Sequence, residues 1–292
     1  MSGGAGFREG RLAIIAGGGR LPHDIAEAAR GAGEDPFIVL LSGEADRDWS
    51  GFEHATVSVG DIAAVSALLR GKNLKRVVLS GSVKRRPEWR HLRPTLSSVV
   101  KLPSIVRTLF SGGDDTVLRM VIDLLEGEGC RIVGAQEIVP NLLATLGPLG
   151  RHAPSGEDLR DIAAGVAAAD VLGALDIGQG AVAVGGRVVA VEGAEGTDSM
   201  LLRVAGLRAE GRISKRRRGV LVKLCKPQQD VRADLPTIGR STVENAGHAG
   251  LAGIAVEAGR SLVLERDALV KAADEAGLFV IGIERAVRKD AT

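Results

Sequence analysis

Residues 12–30 read LAIIAGGGRLPHDIAEAAR, an apolar run followed by three glycines and then by a helical pattern. The run at residues 12–16 predicts a buried strand, and the glycines predict a tight turn into a helix that ends near Arg30. A strand, a turn and a helix in this order form the unit from which parallel-sheet α/β proteins are built. The stretch therefore predicts a Rossmann-like start to the chain.

The same alternation continues downstream. Strands are predicted at residues 36–41, 55–59, 76–80 and 131–133, with helices between most of them. Asp61 is expected to cap the helix after it, because its carboxylate can accept a free N–H of the first helical turn. Contiguous apolar residues in the strands are typical of a parallel sheet covered on both faces. We predict an N-terminal Rossmann-like domain over residues 1–150, with residues 140–154 as a linker.

Residues 151–292 predict a second, mixed α/β domain. Ser155 and Asp158 have the spacing of a capping box at the start of a helix. Gly185 and Gly186 separate two alternating apolar runs, which predicts a tight hairpin. Further strands are predicted at residues 220–224, 251–257, 262–264 and 278–283. The predicted fold class is α/β, with an N-terminal parallel-sheet domain and a C-terminal mixed domain that carries the main catalytic motifs.

The composition limits the classes of function. The 292 residues are 45% apolar and 25% charged, and their net charge is only +2. Such a chain can bury two cores, and its overall charge gives no argument for nucleic acid as a partner. Neither a signal peptide nor a run of about 18 apolar residues is present, so we expect a cytoplasmic protein. Cys130 and Cys225 have no partner at metal-ligand spacing and are expected to be buried thiols without a disulfide.

The densest mixture of charges is in residues 219–239, which read GVLVKLCKPQQDVRADLPTIG. Three cations of this loop can neutralise phosphate oxygens: Lys223, Lys226 and Arg232. Asp230 and Asp234 can bind a divalent cation or orient a water molecule. A solvated loop without function is the alternative interpretation.

Two further stretches could bind anions. Gly17, Gly18 and Gly19 are expected to leave backbone amides free at a helix N-terminus, where phosphate binds well. The dinucleotide fingerprint is broken by the residues that follow, however, and a turn required only by strand-to-helix geometry is the alternative. Residues 81–110 carry seven basic residues and one acid, which suits an anionic membrane surface, a diphosphate or a merely solvated connection.

Carboxylates also follow the predicted hairpin. Glu192, Glu195 and Asp198 could lie beside the loop aspartates, and hard cations prefer such oxygen ligands. The five histidines lack the spacing of zinc ligands, so we do not expect a zinc site.

Four stretches together resemble one known family: IAGGGRLP from Ile15, DIGQGAVAVGGRVVAVEGAEGTDSMLLR from Asp176, the loop GVLVKLCKPQQDVRADLPTIG, and AGLAGIAVEAG from Ala249. Over nearly its whole length the chain resembles the LpxI-type UDP-2,3-diacylglucosamine pyrophosphatases of lipid A biosynthesis. The resemblance implies a magnesium-dependent hydrolase that splits the pyrophosphate of UDP-2,3-diacylglucosamine into 2,3-diacylglucosamine 1-phosphate (lipid X) and UMP. Two other classes stay open, a nucleotide-binding oxidoreductase and a non-catalytic protein that binds lipid or a membrane surface.

On this hypothesis the site residues fall into three groups. The expected catalytic groups are Asp230, Asp234, Lys223 and Lys226. The expected Mg²⁺ ligands are Asp230, Glu195 and Asp198. The expected substrate contacts are Gly17, Gly18, Gly19, Gly81, Lys84, Gln179, Gln229, Arg232 and Thr237. We expect an apolar trench for the acyl chains in the second region or in a cleft between the domains.

The expected partners follow from the same resemblance. They are the glycolipid nucleotide substrate and the cytoplasmic face of the inner membrane, which the protein would contact as a peripheral protein. No nucleic acid is expected, and a homodimer is left open.

Overall fold

The computed structural model describes residues 10–83 and 114–285. The chain divides into two compact units, Met1–Pro140 with Asp230–Asp234, and Asn141–Gln229 with Leu235–Thr292. The boundary lies earlier than the predicted residue 150, and a short segment of the charged loop is grouped with the first unit.

The first unit is built on a five-stranded sheet. Its strands are Arg11–Ala16 (β1), Phe37–Leu41 (β2), His54–Val57 (β3), Leu74–Ser80 (β4) and Arg131–Ile132 (β5). Their order in the sheet is β3-β2-β1-β4-β5, and every neighbouring pair is parallel. This order is that of the doubly wound Rossmann fold, so the predicted fold of the N-terminal part is confirmed.

Helices cover this sheet. They are Leu21–Gly31 (α1), Ile62–Gly71 (α2), Asp114–Gly127 (α3) and the short Ala135–Ile138 (α4). The predicted cap of α2 is confirmed, since Asp61 Oδ1 accepts the backbone N–H of Ala64 at 3.0 Å. Strand residues such as Phe37 and Val77 and helix residues such as Ile122 are buried in one core. Each large apolar side chain buried in this way contributes about 1.5–3 kcal/mol to folding.

The second unit contains a six-stranded mixed sheet. Its strands in chain order are Gly147–Pro148 (β6), Gly180–Val184 (β7), Arg187–Val191 (β8), Val220–Lys223 (β9), Gly253–Glu257 (β11) and Phe279–Ile283 (β13), and a separate parallel pair consists of Thr237–Ile238 (β10) and Leu262–Val263 (β12). The order is β6-β13-β11-β9-β7-β8. Strands β9, β11 and β13 run parallel to one another, whereas β6, β7 and β8 add antiparallel pairs. The mixed α/β organisation predicted for this region is confirmed.

Four helices accompany this sheet: Gly156–Ala174 (α5), Gly196–Ala209 (α6), Arg240–His248 (α7) and Arg266–Glu275 (α8). The capping box of α5 is present, because the Ser155 hydroxyl and the Asp158 carboxylate each bond the other residue's backbone N–H. The hairpin between β7 and β8 is also confirmed, and Gly185 and Gly186 have the positive φ angles of 63° and 78° that its turn requires.

The predicted linker at residues 140–154 has structure of its own. A 3₁₀ turn spans Pro140–Leu142, and β6 pairs with the edge strand β13. Because Leu149 donates its N–H to Val280 O at 2.8 Å, this segment is part of the second sheet. That pairing explains why the boundary lies before residue 150. Among residues 10–83 and 114–285, no helix is long and apolar enough to cross a membrane.

Candidate functional site

The charged loop leaves the sheet of the second unit at the carboxyl end of β9. Lys223, the last residue of β9, is only 8% exposed, and its Nζ donates to the backbone oxygen of Thr237 at 3.1 Å. Within the described residues no carboxylate lies at ion-pair distance from Lys223. The structure thus brings together Lys223 and Thr237, two of the predicted site residues. The described residues place no negative charge beside the buried ammonium group of Lys223.

Lys226 lies three residues further along the loop and is also largely buried. Its Nζ donates to Asp176 Oδ1 at 2.7 Å. The turn after it is held by the buried Gln229, whose side-chain oxygen accepts the backbone N–H of Lys226 at 3.0 Å. Gln229 therefore shapes the turn in this structure, although it was predicted to contact substrate.

Gln179 immediately precedes β7, the strand that neighbours β9. Its backbone oxygen accepts the N–H of Leu224 at 3.0 Å, which aligns it with the end of β9. Its side-chain Oε1 is buried and has no hydrogen-bond partner among the described residues. An unpaired buried acceptor is costly, so this oxygen is suited to receive a donor from a ligand.

A buried carboxylate that the sequence did not predict as part of the site fixes the backbone of this loop. Glu257, at the end of β11, is 4% exposed, and its Oε2 accepts the N–H of Cys225 at 3.1 Å. Arg285 donates from Nη1 to Cys225 O at 2.9 Å and forms an ion pair with Asp170. Arg260 adds a contact of 3.7 Å to the Glu257 carboxylate. Cys225, Glu257 and Arg285 are distant in sequence, so only the folded structure reveals that they meet.

The loop aspartates are in the first unit. Asp230 is bound by Arg232, which donates from Nε to Oδ1 at 3.0 Å and from Nη2 to Oδ2 at 2.7 Å. These hydrogen bonds hold the pKa of the Asp230 carboxyl below its usual value, although partial burial acts in the opposite direction. Arg232 also donates to Glu126 on α3 at 2.7 Å. Asp230 is therefore an ionised carboxylate held in one orientation.

Asp230–Asp234 forms a single turn attached to the first unit. The N–H of Asp234 donates to Asp230 O at 3.1 Å, and Gln136 Nε2 donates to Val231 O at 3.1 Å. Ala233 packs against the apolar core of that unit. Asp230, Arg232 and Asp234 are thus brought together, whereas Lys223, Lys226 and Thr237 are grouped in the second unit.

The other predicted metal ligands are engaged elsewhere. Glu195 forms an ion pair with Arg203 at 2.6 Å, and Asp198 accepts a hydrogen bond from Asn245 at 2.9 Å. In the described part of the chain, no group of three or more His, Cys, Asp or Glu side chains could hold a metal ion. The described residues therefore do not form a magnesium cage made by the protein alone.

The glycine turn of the first unit differs from the prediction that its amides are free. Gly17 and Gly18 donate their N–H groups to Ser80 O and Ser82 O, each at 2.8 Å, and Gly19 donates to Asp46 Oδ1 at 3.0 Å. Gly81 has a φ of 90°, and a Cβ at this position would lie 2.8 Å from Gly17 C and Gly18 O. The turn therefore joins two chain segments at the ends of β1 and β4, where a Rossmann fold would bind its dinucleotide.

Two predictions fall wholly or largely outside the described residues. Lys84 lies there, as does most of the basic segment at residues 81–110.

Cys130 and Cys225 are buried free thiols, and burial raises the pKa of Cys130.

The fold and these contacts define a class of protein. It is a two-unit α/β protein in which buried lysines at the carboxyl edge of a mixed sheet can receive an anionic group such as phosphate. Residues 11–142 match the LpxI N-terminal domain, and residues 145–281 match the LpxI C-terminal domain. The chain belongs to the LpxI family.

Individual relatives give further detail. The chain is 42% identical over 276 residues to the UDP-2,3-diacylglucosamine pyrophosphatase LpxI of Caulobacter vibrioides, covering 94% of this chain and 98% of that relative. Among solved structures, it is similar to the UDP-glucose 4-epimerase of Thermus thermophilus in complex with NAD, at 13% identity and a TM-score of 0.30, over 96% of this chain and 87% of that one. The second similarity is too low to support an argument.

Proposed function

We propose that the chain hydrolyses the diphosphate of UDP-2,3-diacylglucosamine, releasing 2,3-diacylglucosamine 1-phosphate and UMP in lipid A biosynthesis. The observation that carries this proposal is the 42% identity to a pyrophosphatase of that name over nearly the full length of both chains. The engaged amides of the glycine turn do not favour the alternative, a dinucleotide-dependent oxidoreductase.

The buried lysines support an anionic substrate. Lys223 has one backbone hydrogen bond and no carboxylate partner in the described residues, and an unpaired buried charge is unfavourable. A phosphate oxygen would supply the counter-charge that these residues do not. Lys226 lies on the same loop, where Asp176 and Gln229 hold it in place, so both ammonium groups can neutralise a diphosphate.

Asp230 is the proposed water-orienting group. Its Oδ1 accepts hydrogen bonds from Arg232 N and Nε, and its Oδ2 accepts one from Nη2, so Oδ2 retains a lone pair for a water molecule. The low pKa keeps this carboxylate ionised across the physiological range. Asp234, one turn later, is proposed as its helper.

We propose that Mg²⁺ takes part with fewer protein ligands than the sequence predicted. Magnesium commonly binds through one or two carboxylates together with substrate phosphates, and Asp230 can supply one such carboxylate. When bound, the ion would neutralise charge on the phosphoryl oxygens. Glu195 and Asp198 were predicted as further ligands, but their ion pair with Arg203 and hydrogen bond with Asn245 make them weaker candidates.

The direct test is turnover by the purified chain. Incubation with UDP-2,3-diacylglucosamine and Mg²⁺ should release UMP and the diacylglucosamine phosphate in equal amounts, and isotopically labelled water should mark the phosphorus that is attacked. Omitting Mg²⁺ and adding a chelator tests whether turnover requires the metal ion. Absence of both products, from a folded protein, would refute the proposed function.

Association with the inner membrane and formation of a homodimer are also proposals. The basic composition of residues 81–110 supports contact with anionic lipid, and co-flotation with anionic but not neutral vesicles tests it. Sedimentation equilibrium tests the dimer.

A further inference from the structure

Helix α5 of the second unit exposes apolar side chains on the side that faces away from the sheet. Seven large apolar side chains are exposed in the described residues, and four of them lie on α5 or directly after it: Leu159, Val171, Leu175 and Ile177. These four are between 50% and 65% exposed. Scattered apolar residues are normal on a protein surface, whereas a cluster on one face marks a contact site.

The opposite side of α5 already attaches the helix to the fold. Ile162 and Ala169 are buried in one core with Val222 of β9. Gly165 lies so close to β9 that a Cβ at this position would be 2.4 Å from Val222 Cγ2. The exposed side is therefore not needed to hold the helix on the sheet.

The exposed side chains form a single row along the helix. This outer row consists of Leu159, Ala163, Ala167, Val171 and Leu175, and all five residues are exposed. Each is four residues from the next, which is the spacing of the ridges through which helices pack. The leucines lie at the two ends of the outer row, each eight residues from Ala167, and the small alanines lie in the middle.

This order of sizes suits contact between two copies of the same helix. Helices that pack through such ridges cross at about 50°, so they are closest at the crossing point and diverge on either side of it. Close packing then requires small side chains at the crossing point and large ones where the helices diverge. In an antiparallel pair that crosses at Ala167, a leucine from each copy lies at each end of the contact, as two-fold symmetry requires.

The charges near the outer row favour a second copy over a lipid surface. Residues 161–175 contain two aspartates and neither Lys nor Arg. A helix that binds an anionic bilayer has cations beside its apolar face. Arg160, whose side chain is 69% exposed, contacts Glu157 at 3.6 Å near the helix N-terminus. In the antiparallel pair it would lie beside the negative C-terminal end of the second copy's α5, where a cation is favourable.

We propose that two copies of this chain associate through their outer rows, antiparallel about a two-fold axis at Ala167. The proposal assigns a surface to the homodimer and does not depend on pyrophosphatase activity. The 19 residues of α5 make it about 28 Å long and roughly 10 Å wide, so the outer row offers about 300 Å² to the contact. A standard interface uses about 800 Å² per partner, so we expect a weak dimer with a micromolar or higher dissociation constant.

Sedimentation equilibrium of the full chain, from micromolar to millimolar concentration, tests the surface. Ala167→Glu places two carboxylates opposite each other at the axis and should raise the dissociation constant about 100-fold. Glutamate is a good helix former, so the variant should fold. Leu202→Glu adds the same charge at a 64% exposed position on α6 and should leave the dissociation constant unchanged. A wild-type protein that stays monomeric, or a dimer that Ala167→Glu leaves intact, overturns the proposal.

Cysteine cross-linking tests the position of the axis. In the proposed pair the two thiols of Ala167→Cys face each other, so oxidation should give a disulfide-linked dimer. Ala163→Cys or Val171→Cys alone should cross-link far less, whereas a mixture of these two proteins should give the mixed dimer. The wild type should give none under native conditions, because Cys130 and Cys225 are buried. No dimer from Ala167→Cys, or equal yields from all three single variants, overturns the assigned axis.

Two further measurements identify other occupants of the outer row. If another part of this chain covers it, Ala167→Glu will bury a charge and lower the melting temperature. If a bilayer covers it, the wild type will co-float with anionic vesicles and Ala167→Glu will not. Either result overturns the proposal, whereas an unchanged melting temperature and equal behaviour with vesicles support it.

Discussion

At the level of a single residue, the proposed catalytic role of Asp230 can be tested separately from protein stability. Replacement by Asn keeps its size, and Arg232 retains its second partner, Glu126, so the fold should persist. We expect Asp230→Asn to lower kcat about 10²- to 10⁴-fold, because a positioned proton acceptor contributes on that order. Asp123→Asn, at an exposed position on α3, is the matched control. Near-normal release of UMP by folded Asp230→Asn would exclude this role.

Arg232 should control the pH range in which Asp230 works. Its hydrogen bonds lower the pKa of the Asp230 carboxyl, so removing them should raise that pKa towards the ordinary value. If the ionised carboxylate is required, the acid limb of the kcat/KM profile of Arg232→Gln should move to higher pH. Glu126→Gln leaves the contact between Arg232 and Asp230 intact, so its acid limb should stay in place. An unmoved limb in Arg232→Gln would contradict the assignment.

Replacing Lys223 tests whether this residue binds substrate or stabilises the fold. We expect Lys223→Met to lower kcat/KM about 10- to 100-fold, because a charged hydrogen bond to phosphate contributes about 1.5–3 kcal/mol. Its melting temperature should not fall, because the free protein loses a buried charge that has no described counter-ion. Lys271→Met removes an exposed lysine of α8 and should leave both measurements unchanged. Equal loss of stability and activity in Lys223→Met would indicate a structural role.

At the level of the elements, the turn after β1 packs closely against the turn after β4. Adding one methyl group at Gly81 should therefore lower the free energy of unfolding. A Cβ on Gly81 would lie 2.8 Å from Gly17 C and Gly18 O, whereas a Cβ on Gly33 would meet nothing within 4 Å. Both glycines have a positive φ, so Gly33→Ala should cost about 1–2 kcal/mol through backbone strain alone. Gly81→Ala should cost more. The midpoints of urea denaturation compare the two variants. Equal losses of stability would show that the backbone around Gly81 can move to make room for the methyl group.

Local sequence patterns were sufficient to predict most strands and helices, because those patterns depend on neighbouring residues. Asp61 and Ser155 illustrate this, since each caps the helix that its spacing indicated. Strand β6 was missed because Gly147–Pro148 carries no alternating pattern, and its structure comes from pairing with β13. The order of strands in the second sheet likewise depends on contacts that no local pattern contains.

The site was predictable in part for the same reason. The concentration of charge in residues 219–239 identified the lysines and aspartates that the loop presents. The sequence could not show that Glu257 and Arg285 hold Cys225, because both act across the sheet. Nor could it show that the amides of Gly17, Gly18 and Gly19 are already bonded to protein oxygens.

At the level of the whole molecule, the first unit depends on residues from the later part of the chain. Ala233 packs on its core, Arg232 pairs with Glu126, and Val231 accepts a hydrogen bond from Gln136. We expect a fragment of residues 1–140 to protect the amides of β1 and β4 less well than the intact chain does. Hydrogen exchange measures this difference, and equal protection would show that the segment adds nothing to the first unit.

The placement of Asp230–Asp234 with the first unit also bears on how such a gene can evolve. Recombination at the codon for residue 140 would give a hybrid in which one parent's Glu126 and Gln136 meet the other parent's turn. Substitutions near Glu126 and Gln136 must therefore remain compatible with substitutions in the turn, although nearly a hundred codons separate the two segments. Shuffling between distant members of the family is expected to succeed only when the turn is inherited together with the N-terminal half.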